Sequence, residues 1–147
     1  MVKEAYSYKD LHKKIVYFFE SESQNKKIPK MVIFSNEGRG LWNLGFGDLQ
    51  PDGNIDDSVI SNNDDLIKVI STVAKITYDF FGTYPLRRIL IKPVDEKRKR
   101  LYNHVFRRHY DTISADFDIM GIVGRKKENY SPKKNYDKFV LNRKIKK

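Results

Sequence analysis

With 147 residues, 39% of them hydrophobic, the chain has the size and composition of one folded domain, although a third of it is charged. It contains no cysteine, which excludes a disulfide framework, a thiolate zinc site and a cysteine nucleophile. Its formal net charge of +10 favours polyanionic partners.

No apolar run approaches the roughly 20 residues of a membrane helix. The first one, Ile15 to Phe19, leads into Glu20 and Glu22 rather than a signal cleavage site. A cytoplasmic location without membrane attachment is expected.

In chain order, Ile15 to Glu22 (IVYFFESE) is β-branched and aromatic without helical periodicity and reads as a strand. Lys30 to Ser35 (KMVIFS) reads as a second strand, paired with the first as a hairpin. Gly38 and Gly40 punctuate a turn into a third strand, Leu41 to Leu49 (LWNLGFGDL), whose glycines point to a bulge or a close backbone approach. Residues 50 to 60, with Pro51, Asp52, Gly53 and Asn54, read as a turn.

Leu66, Val69, Ile70, Val73, Ile76, Thr77, Phe80 and Phe81 recur near the 3.6-residue period of a helix with one buried face. Ser61, Asn62 and Asn63 are candidate N-caps, and Gly82 with Pro85 supplies the stop. Arg88 to Lys92 reads as a short buried strand. A second helix from about Glu96 to Tyr110 follows, with Asp95 as its cap. Asp116 to Val123 makes a fifth strand, and residues 125 to 147 form a basic C-terminal tail, partly docked through Tyr136, Phe139, Val140 and Leu141. The fold class expected is α+β: one domain with a mixed sheet of about five strands and two main helices, an antiparallel meander followed by strand, helix, strand, helix, strand.

Charge is unevenly distributed along the chain. Asp48, Asp52, Asp56, Asp57, Asp64 and Asp65 fall in a stretch without lysine or arginine, whereas Lys97 to Arg108 and Arg125 to Lys147 are mostly basic. His12, His104 and His109 have no metal-ligand spacing, the aspartate-rich stretch lacks the ligand order of a calcium loop, and no metal site is expected. No nucleophile elbow or phosphate-loop pattern occurs. The strongest candidate site is the second helix. Arg98 and Arg100 in its first turns stand beside free backbone N–H groups, Tyr102 offers a stacking face, and Arg107 with Arg108 continues the positive charge. The competing reading is that Asp95 and Glu96 satisfy that helix end. Asn62, Asn63 and Lys68 form a candidate ligand loop at the first helix.

The elements NLGFGD (Asn43 to Asp48), DDSVISNND (Asp56 to Asp64), KVISTV (Lys68 to Val73), Tyr84-Pro85, RKRLY (Arg98 to Tyr102), FDIMG (Phe117 to Gly121) and NYDKFVLNRK (Asn135 to Lys144), in this order, resemble a small bacterial family catalogued as domain of unknown function 6934. Its usual Arg-Thr-Arg-Leu-Tyr stands here as Arg98 to Tyr102, and its usual SNNGD as Ser61 to Asp65, with Asp64 in place of the glycine. The order of elements is also similar to the core of the GCN5-related acetyltransferases, without their Q/R-x-x-G-x-G/A loop for the coenzyme A pyrophosphate. The reading these features support is an accessory binding module that contacts nucleic acid or an acidic protein, as in toxin–antitoxin or phage-defence systems. The alternatives are an unusual acyltransferase using a coenzyme A cofactor, and a structural homodimer built on the aromatic strands.

Overall fold

A computed structural model describes residues 4–23, 26–49, 55–56 and 65–144. They form nine strands and three helices, an α+β arrangement whose backbone contacts cluster into two units: Met1–Ser35 with Gly45–Pro85, and Asn36–Leu44 with Leu86–Lys147. The expectation of about five strands is corrected to nine. The five strands read from the sequence are all present, and four more join them: Tyr8–His12, Ile55–Asp56, Lys126–Asn129 and Lys138–Arg143. The first three of these are short and mostly polar, so they carry little of the hydrophobic alternation by which a strand is recognised.

The first unit begins with β1 (Tyr8–His12), which pairs antiparallel with β2 (Val16–Ser23). Between them Lys13 and Lys14 turn the chain at positive φ, and the Asp10 carboxylate holds the turn by accepting the N–H groups of His12 and Lys14 at 3.0 and 2.9 Å. β2 pairs antiparallel with β3 (Lys26–Gly38), with Tyr17 opposite Val32 and Phe19 opposite Lys30. Alternation along β2 and β3 sends Tyr17, Phe19, Val32 and Phe34 inward.

Against them lies α1 (Leu66–Thr83), which buries Val69, Val73, Ile76, Thr77, Phe80 and Phe81. These are residues of the periodic stripe; Ser71 and Thr72 are buried as well, the latter turning its hydroxyl to the Lys68 carbonyl at 2.7 Å. Phe34 stacks on Phe80 with centroids 4.1 Å apart, and Tyr17 meets Phe34 edge-on. Each such ring contributes about 1.5–3 kcal/mol through burial. The N-caps expected at Ser61 to Asn63 lie outside the described residues. β4 (Leu41–Leu49) gives Gly45 to Leu49 to this unit, where Asp48 and Leu49 pair with β5 (Ile55–Asp56).

The second unit opens on the turn Gly38-Arg39-Gly40, all at positive φ, as a tight reversal requires. Leu41 to Asn43 of β4 then pair parallel with β6 (Arg88–Ile91). The strand order continues antiparallel from β6 to β9 (Lys138–Arg143), β7 (Phe117–Val123) and β8 (Lys126–Asn129). The sheet of this unit is therefore mixed, as expected. Where the sequence reads as a partly docked tail, β9 runs between β6 and β7, pairing Leu90 with Val140 on one side and Ile119 with Leu141 on the other.

The helix read as one element to Tyr110 is two. α2 (Glu96–Arg108) ends at His109, and α3 (Tyr110–Asp116) carries the chain to β7. Asp95 caps α2 by accepting the Arg98 N–H at 2.8 Å. α2 packs Phe106 on Phe139 with centroids 4.3 Å apart, and one flank of the helix holds the approach to β9 through polar contacts at every turn. Lys99 pairs with Asp137. The Asn103 side chain donates to the Tyr136 carbonyl at 2.9 Å and accepts the Tyr136 N–H at 2.8 Å, imitating a strand partner. Arg107 donates to the Pro132 carbonyl and the Asn135 side chain. Below them Tyr136 is fully buried against Gly121, where an added Cβ would lie 2.3 Å from the ring.

Candidate anion-binding surface

The two units differ in charge. The second holds 20 of the 29 lysines and arginines and 8 of the 19 acidic residues, a net of +12, while the first holds the other 9 and 11, a net of −2. A field of that sign and size attracts anions to the second unit.

Helix α2 displays the charge in an ordered way. Arg98, Asn103 and Phe106 are its buried side. Lys97, Arg100, His104 and Arg108, spaced by three or four residues, form the ridge opposite and are all exposed. None of Lys97, Arg100 and Arg108 forms an ion pair with a described residue.

The sequence-derived site residues divide accordingly. Arg98 is 7% exposed, its guanidinium bound to the Asp95 carboxylate at 2.7 Å and its N–H to the same side chain. Asp95 thus occupies the helix start, and Arg98 is engaged there rather than displayed. Arg100 and Arg108 are displayed. Arg107 is exposed but holds the loop at Pro132 to Asn135. Tyr102 is half-buried. Asn62 and Asn63 lie outside the described residues, and Lys68, in the first unit, sits over the Tyr6 ring at 4.3 Å and pairs with Glu4 at 3.5 Å.

Sequence reasoning missed the aromatic group at the C-terminal end of α2. Tyr110, half-buried, stacks on Tyr130 with centroids 5.6 Å apart, and Tyr130 in turn contacts Phe106 and Tyr136. Tyr130 is 7% exposed and its hydroxyl is buried without a hydrogen-bond partner among the described residues. Burial raises the Tyr130 phenol above its ordinary range, opposed by the nearby Arg107 charge. His109, between α2 and α3, is pushed below 6.5 by burial and then by the neighbouring charges of Arg108 and His104. A signal for this group is the i, i+4 spacing of Phe106 and Tyr110, which puts both rings on one side of a helix.

The first unit carries a buried polar group of its own. Lys30 and Asp48, 4% and 8% exposed, form an ion pair beneath β3 and β4. Asp65, ahead of α1, accepts the hydroxyls of Ser21 and Tyr6, and the Tyr6 N–H donates to the Thr72 hydroxyl at 2.9 Å. Among the described residues no three His, Asp or Glu side chains converge to hold a metal ion, and no helix is long and apolar enough to cross a membrane.

The model of a family of unknown function (DUF6934) matches residues 2–144. The chain belongs to this family. No curated protein and no solved structure matches it. The family match spans both units, so the basic and the acidic parts of the chain both lie within the matched residues.

Proposed function

We propose that this member of the family is an accessory binding module that takes up a polyanion, nucleic acid, on the exposed basic surface of its second unit. The observation that carries the reading is the α2 ridge. Lys97, Arg100, His104 and Arg108 stand opposite the buried side of a helix that the sheet fixes in place, and three of them have no acidic partner among the described residues. Surface cations that merely keep a protein soluble are commonly interspersed with acids; here Glu96 is the one acidic residue in the 13 of α2. An acidic protein would meet the same ridge, and a role in toxin–antitoxin or phage-defence systems suits a small basic module of this kind.

A second reading is favoured by one observation of the fold. Parallel β4 and β6, with a last strand inserted between β6 and β7, keep the sheet mixed as the resemblance to the GCN5-related acetyltransferases implies, which supports the reading of an acetyltransferase-like fold and an unusual acyltransferase using coenzyme A. Fold alone does not confer that activity, and residues 50–54 and 57–64, where a pyrophosphate loop would have to be, lie outside the described residues.

Thermal unfolding of the purified protein with coenzyme A, acetyl-coenzyme A, and DNA and RNA oligonucleotides at low and moderate salt separates the two. Stabilisation by nucleic acid that fades with salt is the expected result. Stabilisation by coenzyme A alone replaces the first reading with the second.

A further inference from the structure

We infer that the turn between β7 and β8 is a second phosphate contact for the same nucleic acid, held beside the start of α2 by Asp137 so that one ligand backbone meets both elements. This rests on the polyanion reading above and extends its site to residues that the α2 ridge does not include.

The sheet of the second unit brings the two elements to one end. β6 and β7 both run antiparallel to β9, so they run parallel to each other and their carboxyl ends lie on the same side. α2 starts shortly beyond the end of β6, and the β7–β8 turn follows β7 directly. The carboxyl ends of parallel strands are also where open α/β sheets take ligands. This end collects cations: Lys92, Lys97 and Arg100 from the helix side and Arg125 and Lys126 from the turn, all exposed. Among the described residues only Lys126 of the five has an acidic neighbour, Glu128 at 3.9 Å, and Glu128 lies closer to Lys134, at 2.9 Å.

The turn is fixed to the helix. It is a two-residue reversal, Gly124-Arg125, with Gly124 at positive φ, which sets Arg125 at the tip of the hairpin. One Asp137 oxygen accepts the Gly124 N–H at 2.8 Å, and the other pairs with Lys99 of α2. The Asp137 N–H donates to the Ile122 carbonyl at 2.8 Å, so the carboxylate is itself anchored to β7. Register then decides which cation faces the helix. Lys126 stands opposite Val123 and Glu128 opposite Gly121, the glycine that faces the Tyr136 ring held by Asn103. Lys126 is therefore on the helix side of β8, and Lys127 is on the other. Asp137 adds one negative charge to a basic surface and in exchange sets the two groups of cations relative to each other. Groups fixed in this way need little ordering when a ligand binds.

The test measures the anisotropy of labelled DNA, double- and single-stranded, with the full chain over a salt series. Arg125→Ala and Lys126→Ala should each weaken binding and flatten its logarithmic salt dependence by about 0.7–0.9, as Arg100→Ala should, while Lys127→Ala leaves the slope unchanged. Asp137→Ala raises the net charge by one and is nevertheless expected to weaken binding, because it releases the turn. Asp137→Asn, which keeps an oxygen for the Gly124 N–H, should bind at least as tightly as the wild type. Both turn residues are exposed, so their variants report on the contact whether or not the Asp137→Ala chain folds. Wild-type slopes in both turn variants beside a flattened Arg100→Ala, or an Asp137→Ala protein that binds as tightly as the wild type or more so, overturn the second contact and leave the polyanion reading standing. An Arg100→Ala protein with the wild-type slope, or undetectable or salt-insensitive binding of both DNA forms, removes the polyanion reading itself.

Discussion

In the first unit the charged groups that shape the structure are inside: Lys30 and Asp48 pair in the core, and Asp65 gathers the hydroxyls of Tyr6 and Ser21. In the second, the buried Arg98 apart, they are outside or at the rim, where Lys99 and Arg107 bind the segment before β9 to a helix and Lys97, Arg100 and Arg108 face solvent. Buried pairs are matched to one another, so they leave little field beyond the surface and their loss is felt as stability. Exposed unmatched cations contribute little to stability, and their loss is felt as binding. The net charges of −2 and +12 express this difference.

The sharpest way to break the comparison is to remove one member of the buried ion pair. Lys30→Met takes the cation away from the buried Asp48 carboxylate and is expected to cost about 3–5 kcal/mol in urea unfolding, with oligonucleotide affinity of the folded fraction unchanged. Adding Asp48→Leu should recover most of the loss. A single variant as stable as the wild type would mean that the pair is not a core element.

The next effect is steric and belongs to the second unit. Gly121→Ala forces a methyl group to within 2.3 Å of the Tyr136 ring, and because Tyr136 is held on both sides of its peptide by Asn103 the ring has no easy retreat. A loss of about 3 kcal/mol is expected, with hydrogen exchange of the β7 and β9 amides accelerated before those of β2 and β3. Uniform acceleration in both units would show that they unfold as one.

The smallest effect is on pH dependence. Burial holds His109 below 6.5 in the folded protein, so the folded state binds its proton less readily than the unfolded chain does. Its contribution is complete above about pH 6.5 and is lost as pH falls toward the folded-state value. Asp137, held below 3.8 first by the Lys99 hydrogen bond and then by the Gly124 N–H, adds a second loss below about pH 4 by the same sign. The urea midpoint is expected to drop modestly between pH 7.5 and 5.5 in the wild type, and not in His109→Gln. Equal drops in both proteins would assign the titration elsewhere.

Much of this was legible locally. Leu41 to Leu49 is β4 to the residue because a turn with two glycines precedes it, and Asp95 was identified as a cap because a side-chain acceptor just before a helix has one obvious use. Lys30 was legible in principle, since alternation places it on the face of Val32 and Phe34, yet a lysine is ordinarily read as exposed. The role of β9 was not. KFVLNR is short and set among lysines, and its place between β6 and β7 depends on pairings far apart in the chain. Arg98 entered the candidate site on its charge and its place in the first turn of the helix, and Arg107 on its charge; neither distinguishes a guanidinium facing solvent from one engaged by Asp95 or by a loop.

The insertion of β9 also bears on how the protein is made. β6 and β7 are complete before the strand that joins them has been synthesised, and about 20 residues separate the end of β7 from the end of β9. Until β9 inserts between them, β6 and β7 each present an open edge. Such edges are templates for pairing with other chains, so the folding second unit passes through an interval in which a chaperone alters the soluble yield without altering the finished fold.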